Sequence, residues 1–370
     1  MTKKSVRALG LLSAILLAGC GATGHASKSK HGSQAQNAAS MKKGTGSHKT
    51  GGVGAKKGGS PKKTASSRGA MTGASTARAG KLSVLGFWSH HKSAPVSSLS
   101  ASNHTLTAIS PFWYSVTASG ALTSKVDPSL LAEAKKLHIA ITPLVNDGTG
   151  TQAFLTSKAT RTLAVQNIDH MLASMHFQGV NIDFEPPHTS RKSELTAFMV
   201  QLRDTLPKTD TITMDIVPHS GGAYDYAKLA PEVNQLVLMS YDEHSDGTPA
   251  GPVAALNWVQ SIVGRLKGVV PSSKIDLGVA LYGYEWAPGS THATTIPYNT
   301  ISSTLKSKGT WNSRYQEMTA AVGGNIYWWE NRKGIAEKIA LAKKDHLAGI
   351  ALWQVGFANS AIYTELRKDI

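Results

Sequence analysis

Two carboxylates, Asp183 and Glu185, stand two residues apart in GVNIDFEPP (179–187), an otherwise largely apolar run. A strand alternates its faces, so Val180, Ile182 and Phe184 share one side and Asn181, Asp183 and Glu185 share the other. On a strand facing solvent, such a row is an ordinary polar face. In a closed interior the acids are costly to hold, and paired carboxyls held there suit acid–base chemistry. Residues two apart on a strand lie about 6–7 Å apart along it, so both acids can serve one substrate.

The elements that must position this pair are legible after Lys81. Short β-prone runs recur eight times, at 83–88, 106–114, 139–145, 179–185, 211–217, 235–241, 274–283 and 348–356. They are apolar on both faces, as in buried parallel strands. Between them, apolar residues at spacings of three and four predict helices over 128–138, 160–176, 190–206 and 334–346. Eightfold strand–helix alternation in about 290 residues predicts an α/β fold, a (β/α)8 barrel. The longest gap, 284–333, predicts a small insertion between the seventh strand and its helix, carrying Trp311, Trp328 and Trp329.

Barrel sites form at the C-terminal strand ends. Each predicted end offers polar or aromatic groups: Phe87 and Trp88; Phe112, Trp113 and Tyr114; Asn146 and Asp147; Asp183 and Glu185; Asp215 and His219; Tyr241, Asp242 and Glu243; Tyr282 and Tyr284; Trp353 and Gln354. Acids ringed by aromatics suit a sugar, whose apolar faces stack on rings while its hydroxyls bind polar groups.

The chain before Lys81 is of another kind. Lys3, Lys4 and Arg7 precede a short apolar run ending in Leu-Ala-Gly-Cys, and Cys20 is the sole cysteine. This predicts a signal peptide over 1–20 and resembles a bacterial lipobox, with Cys20 lipidated. Residues 21–80 are Gly, Ser, Ala, Thr and Lys without an aromatic residue, which predicts a disordered linker. Fourteen of the 39 basic residues and none of the 23 acidic ones precede Lys81, so 81–370 carries a net charge of only +2. The net +16 therefore belongs to the tail, and nucleic acid is not expected as a partner. A basic tether suits an anionic membrane or wall surface, and equally a plain spacer.

At the strand ends the sequence resembles glycoside hydrolase family 18. The signature Asp-Gly-x-Asp-x-Asp-x-Glu reads Gln178-Gly179-Val180-Asn181-Ile182-Asp183-Phe184-Glu185, and Met-x-Tyr-Asp appears as Met239-Ser240-Tyr241-Asp242. Trp353 matches the family's terminal tryptophan. PFWYSV (111–116), LMSYDEH (238–244), YWWEN (327–331) and GIALWQVG (349–356) resemble the spore-germination and cortex-lytic branch, the YaaH and SleL type. The departures are Gln178 and Asn181, the latter typical of that branch. The branch's wall-binding LysM modules have no counterpart here.

The resemblance implies a retaining, substrate-assisted glycosidase acting on N-acetylhexosamine polysaccharide. In that scheme Glu185 is the general acid and then the base. Asp183 orients the acetamido group, and Tyr241 steers its oxygen. Asn181 is expected as a hydrogen-bond partner of Asp183. Asn181, Met239, Asp242, Trp353, Tyr114 and Tyr282 are expected to bind substrate. Peptidoglycan or spore cortex stands first as substrate and chitin oligosaccharides second. The chain is expected to be a monomer outside the cell membrane, anchored by lipid, with no cofactor and no metal: no paired histidine spacing, phosphate loop or nucleophile elbow is present. The rival readings are a non-catalytic carbohydrate-binding lipoprotein and a structural envelope lipoprotein. Glu185 favours the enzyme, whereas Gln178 alters the expected support beneath the catalytic pair.

Overall fold

A computed structural model describes residues 81–370, apart from 92, 93, 103 and the side chain at 369. The expected signal peptide, Cys20 and the linker lie outside the described residues.

Eight parallel strands close into a barrel: Ser83–Trp88, Ala108–Val116, Leu144–Asp147, Gly179–Asp183, Thr211–Ile216, Gln235–Leu238, Ile275–Ala280 and Gly349–Trp353, called strands one to eight below. Each pairs with the next, and strand one pairs with both two and eight, so no barrel edge is left open. The third predicted run is split: Ala140–Ile141 pairs with strand two first, and Leu144–Asp147 continues the pairing after Thr142 and Pro143.

The four predicted helices are observed as Pro128–Lys136, Lys158–Met175, Lys192–Thr205 and Arg332–Lys344. Their starts have local causes. Asp127 Oδ1 accepts from the Ser129 and Leu130 amides at 2.8 and 3.2 Å, with Pro128 in the first turn. Asn331 Oδ1 caps Arg332–Lys344 through the Gly334 amide at 2.9 Å. Alternation is less regular than expected in two places. Strand one is followed by a 3-10 segment, Val96–Ser102, and strand five by a single helical turn, Tyr226–Leu229.

Apolar packing divides into two regions inside and around the barrel. The larger lies between strands and helices; the smaller contains Leu85, Phe87, Leu144, Val237 and Ala351. Gly179 opens strand four because a Cβ there would sit 2.1 Å from the Thr211 carbonyl oxygen of strand five. Gly278 of strand seven leaves room for the Tyr241 ring, 3.0 Å from where its Cβ would be.

The insertion is a five-stranded antiparallel sheet built from Tyr282–Trp286, Ala293–Pro297, Thr310–Asn312, Glu317–Val322 and Asn325–Trp329, between strand seven and helix Arg332–Lys344. It is fastened by buried charge. Lys338 of that helix pairs with Glu330, and neither is exposed. Glu317, also fully buried, accepts from the Val253 and Ala254 amides at 2.8 and 2.5 Å. Removing the cation alone would leave buried acids without compensation. Lys338→Met should therefore cost about 3–5 kcal/mol in urea unfolding. Adding Glu330→Gln to it should recover part of that loss.

Candidate active site

Strand four presents its residues as the alternation requires. Phe184 packs outward on Phe154 and Phe198, with ring centroids 5.1 and 5.3 Å away. Asn181 and Asp183 are buried on the other face. Glu185 stands just beyond the strand and is only partly covered. The opening polar row is thus an interior row.

The turn carrying Glu185 is held by a residue that sequence reasoning missed. Gln152 Nε2 donates to the Phe184 and Pro186 carbonyls at 3.0 and 3.1 Å, one on each side of Glu185. Gln152 is itself fixed by Asp147, whose Oδ2 accepts its amide at 2.6 Å. Asp147 also accepts from the Thr149 amide and hydroxyl. It organises a loop, where the sequence offered it as a sugar contact. The bonds span 32 and 34 residues, and no local pattern marks Gln152.

Asp183 and Glu185 are hydrogen-bonded to each other. Burial is the main cause that pushes Asp183 up to about 8, with the Asp215 charge adding to it. Burial, the Asp183 charge and their shared bond push Glu185 well above the usual carboxylate range. A nearby Asp242 charge acts in the same sense. The pair therefore holds protons where ordinary carboxylates have lost them.

Strand six ends at Leu238, and the four residues that follow are bound on both sides. Met239 is half-buried and packs on the larger core. Ser240 Oγ donates to the Gly278 carbonyl at 2.6 Å. Tyr241 is buried, its ring edge-on to Tyr282 at 6.2 Å. Burial and the charges of Asp215, Glu185, Asp242 and Asp183 keep its hydroxyl protonated, and so able to donate. Asp242 Oδ1 accepts from the Tyr282 and Tyr284 hydroxyls at 2.5 and 2.8 Å. Trp353, half-buried at the end of strand eight, meets Phe87 at 5.4 Å.

Several expected placements need correction. The two Asn181 amide hydrogens go to Thr213 Oγ1 at 2.9 Å and Asp215 Oδ1 at 2.8 Å, not to Asp183. Asn181 is in register with Thr213, one pleat deeper than Asp183, so it reaches sideways to strand five. With no exposed surface it offers nothing to a substrate. Gln178 does not support the acids at all. Its side chain joins the Ile141 amide at 2.8 Å and the His176 carbonyl at 2.7 Å, at the opposite end of strand four. Tyr282 and Tyr284 belong to the first strand of the insertion rather than to strand seven. Tyr114 is tied to Ser124 on the short outer strand Leu122–Ser124 rather than to the carboxyls.

The glycosyl hydrolases family 18 pattern matches residues 129–358, well over half of the sequence. The chain belongs to this family. Among its relatives are the uncharacterized glycosylase YvbX of Bacillus subtilis, 29% identical across 53% of this chain and 63% of its own length. The cortical fragment-lytic enzyme of Bacillus cereus is 24% identical across 72% of this chain and 68% of its own. The chain thus spans less than two thirds of YvbX. Among solved structures, a chitinase from Chromobacterium violaceum superposes with a TM-score of 0.71 at 22% identity, over 78% of this chain and 99% of that one. The Bacillus cereus spore cortex-lytic enzyme SleL gives 0.70 at 19% identity, over 78% and 74%. These similarities support the barrel as the family fold.

Acids reach deeper into the barrel. Asp215, Val237 and Asp276 are in register across strands five, six and seven, and both acids are buried. Burial raises Asp276 to about 7, partly offset by a bond to Ser83. An acid raised in this way stabilises the fold while protonated, and that contribution is lost as pH rises through its folded-state value. From the ordinary 3.8 up to about 7, the loss is on the order of 4 kcal/mol. Between pH 4 and 7, thermal unfolding of Asp276→Asn should lose less stability than that of the parent chain.

Proposed function

We propose that this chain is a retaining glycosidase that hydrolyses β-linked N-acetylglucosamine polymers with help from the substrate's own acetamido group. The observation that carries this reading is the mutually hydrogen-bonded pair of buried Asp183 and partly covered Glu185, with the protonated Tyr241 hydroxyl in the same electrostatic cluster. Glu185 keeps a proton at neutral pH and gives it to the glycosidic oxygen as that bond breaks. The acetamido oxygen attacks the anomeric carbon and forms an oxazolinium ion. Asp183, once ionised, accepts from the acetamido N–H and stabilises the positive charge. The Tyr241 hydroxyl donates to the acetamido oxygen. Water then opens the ring, and Glu185 takes back a proton from it. Asp242 is fixed by two tyrosines beside this pair and would bind a sugar hydroxyl. Trp353 would stack under the sugar.

Peptidoglycan, including spore cortex, is the first substrate choice because a relative carries the name cortical fragment-lytic enzyme. Chitin oligosaccharides come second. The leader and Cys20 would carry a monomer to the outer face of the membrane or spore envelope, and the basic linker would let it range over an anionic wall. The non-catalytic reading draws on Gln178 and Asn181; Gln178 serves the far end of strand four, and Asn181 bonds to strand five.

The test is the purified protein against peptidoglycan, cortex fragments and chitin oligosaccharides, with products read by mass spectrometry. Glu185→Gln should lower turnover roughly 10²–10⁴-fold while leaving binding in place. Binding without cleavage by the parent chain would instead make it a lectin. The pH profile has a definite sign. Two protons on the pair block Asp183, and none leaves Glu185 unable to donate, so the working state holds one. kcat/KM should rise where the pair gives up one of two protons, above the ordinary carboxylate range, and fall where Glu185 finally loses its proton. An acid limb near pH 4, as for ordinary carboxylates, would contradict this assignment.

A further inference from the structure

One carboxyl close to the pair has no part in the scheme above. Asp215 lies on strand five and is almost entirely buried. Its Oδ1 is held by the Asn181 amide at 2.8 Å, and Asn181 is the residue two before Asp183 on strand four. The buried Oδ1 atoms of both Asn181 and Asp183 have no hydrogen-bond partner. The titratable groups that act on Asp215 or that it acts upon are Asp183 and Glu185 from strand four, Asp276 from strand seven and Tyr241 from the segment after strand six. No lysine or arginine is among them.

We propose that Asp215 is a positioning residue for the reaction: its charge sets the charge of Asp183, so that Asp183, Glu185 and Asp215 hold and exchange their protons as one set. Three carboxyls gathered without a cation cannot all ionise together. Before substrate binds, Asp183 keeps its proton and bonds to Glu185, and Asp215 carries the charge, with the Asn181 amide to stabilise it. When an acetamido N–H presents itself, Asp183 must become the anion. Its O–H bond breaks, an O–H bond forms on Asp215, and the proton count of the set is unchanged. Nothing has to enter from solvent. An amide at position 181 can steady Asp215 in this exchange but cannot take the proton itself. The Asp215 charge pushes Asp183 up, whereas burial, Glu185 and Asp276 push Asp215 up and the Asn181 bond draws it down.

The catalytic part of this inference rests on the glycosidase reading; the coupling between carboxyls does not. The test therefore reads charge directly. Carbon-13 carboxyl NMR of the full chain, labelled at aspartate, would follow Asp183 and Asp215 against pH, with assignments from Asp183→Asn and Asp215→Asn. In the parent chain the two should titrate together, each curve showing two steps. In Asp215→Asn, which keeps side-chain volume, the Asp183 midpoint should fall by about one pH unit or more. The acid limb of kcat/KM should move with it. In Asn181→Asp/Asp215→Asn the carboxyl returns on the neighbouring strand, and the midpoint should rise again. Simple independent curves in the parent, or an Asp183 midpoint unmoved by Asp215→Asn, would overturn the proposal. So would a double variant that keeps the low midpoint. A shifted midpoint in a protein that cleaves no sugar polymer would uphold the coupling and defeat the glycosidase reading. Normal turnover with an unmoved midpoint would do the reverse.

Discussion

Desolvated carboxyls without a counter-cation govern this barrel. Asp183, Asp215 and Asp276 sit in its buried face, and burial is the first cause raising each of them. Water would hold such acids ionised at neutral pH. The interior does not, so each must carry a proton, receive hydrogen bonds, or take its turn as the anion. Acid catalysis at neutral pH needs a carboxyl that still has its proton. The barrel supplies one by withholding solvent and cations rather than by any unusual chemistry of Glu185.

A second group of buried acids has a cation beside it. Burial raises Glu317 and carries Glu330 up to about 8, and the nearby Lys338 charge draws both part of the way back. These acids do mechanical work. Glu317 holds the Val253 and Ala254 amides, and Glu243 holds that of Ala255 at 2.9 Å. The stretch between strand six and the helix Leu256–Lys267 is thereby tied to the insertion at one end. At the other end Asp242 is tied to Tyr282 and Tyr284 of that insertion. The insertion is therefore part of what orients the site. Its tyrosines fix Asp242, and the buried Lys338 of the helix that follows it lies beside the supporting acids.

The barrel was legible because its causes are local. Apolar runs of strand length, helical stripes and caps such as Asp127 each follow from neighbours in sequence. The inward direction of Asp183 and the outward direction of Phe184 follow from alternation alone. What failed was lateral. Alternation puts Asn181 on the same face as Asp183, but strand register decides that its amide meets Thr213 and Asp215. Gln178 looked like support for the acids because it begins the same motif, yet four strand residues separate it from Asp183. Gln152 clamps the acid's turn from a loop after strand three, and no spacing in the sequence announces it. Tyr282 follows strand seven so closely that only the antiparallel pairing of Tyr282–Trp286 reveals a new sheet.

The asparagine at 181 is better understood from strand five than from strand four. A carboxyl at 181 would share a buried space with Asp183 and Asp215, adding a third acid for which no cation is at hand. An amide of the same shape adds no charge and brings two donors, and both are used. One goes to the acid that strand five contributes two residues beyond Thr213. Strand four's motif is thus short of one carboxyl, but the barrel face it looks onto is not. The count of ionisable groups around Asp183 is a property of two adjacent strands, and it is on that count, more than on the motif as written, that the behaviour of the pair depends.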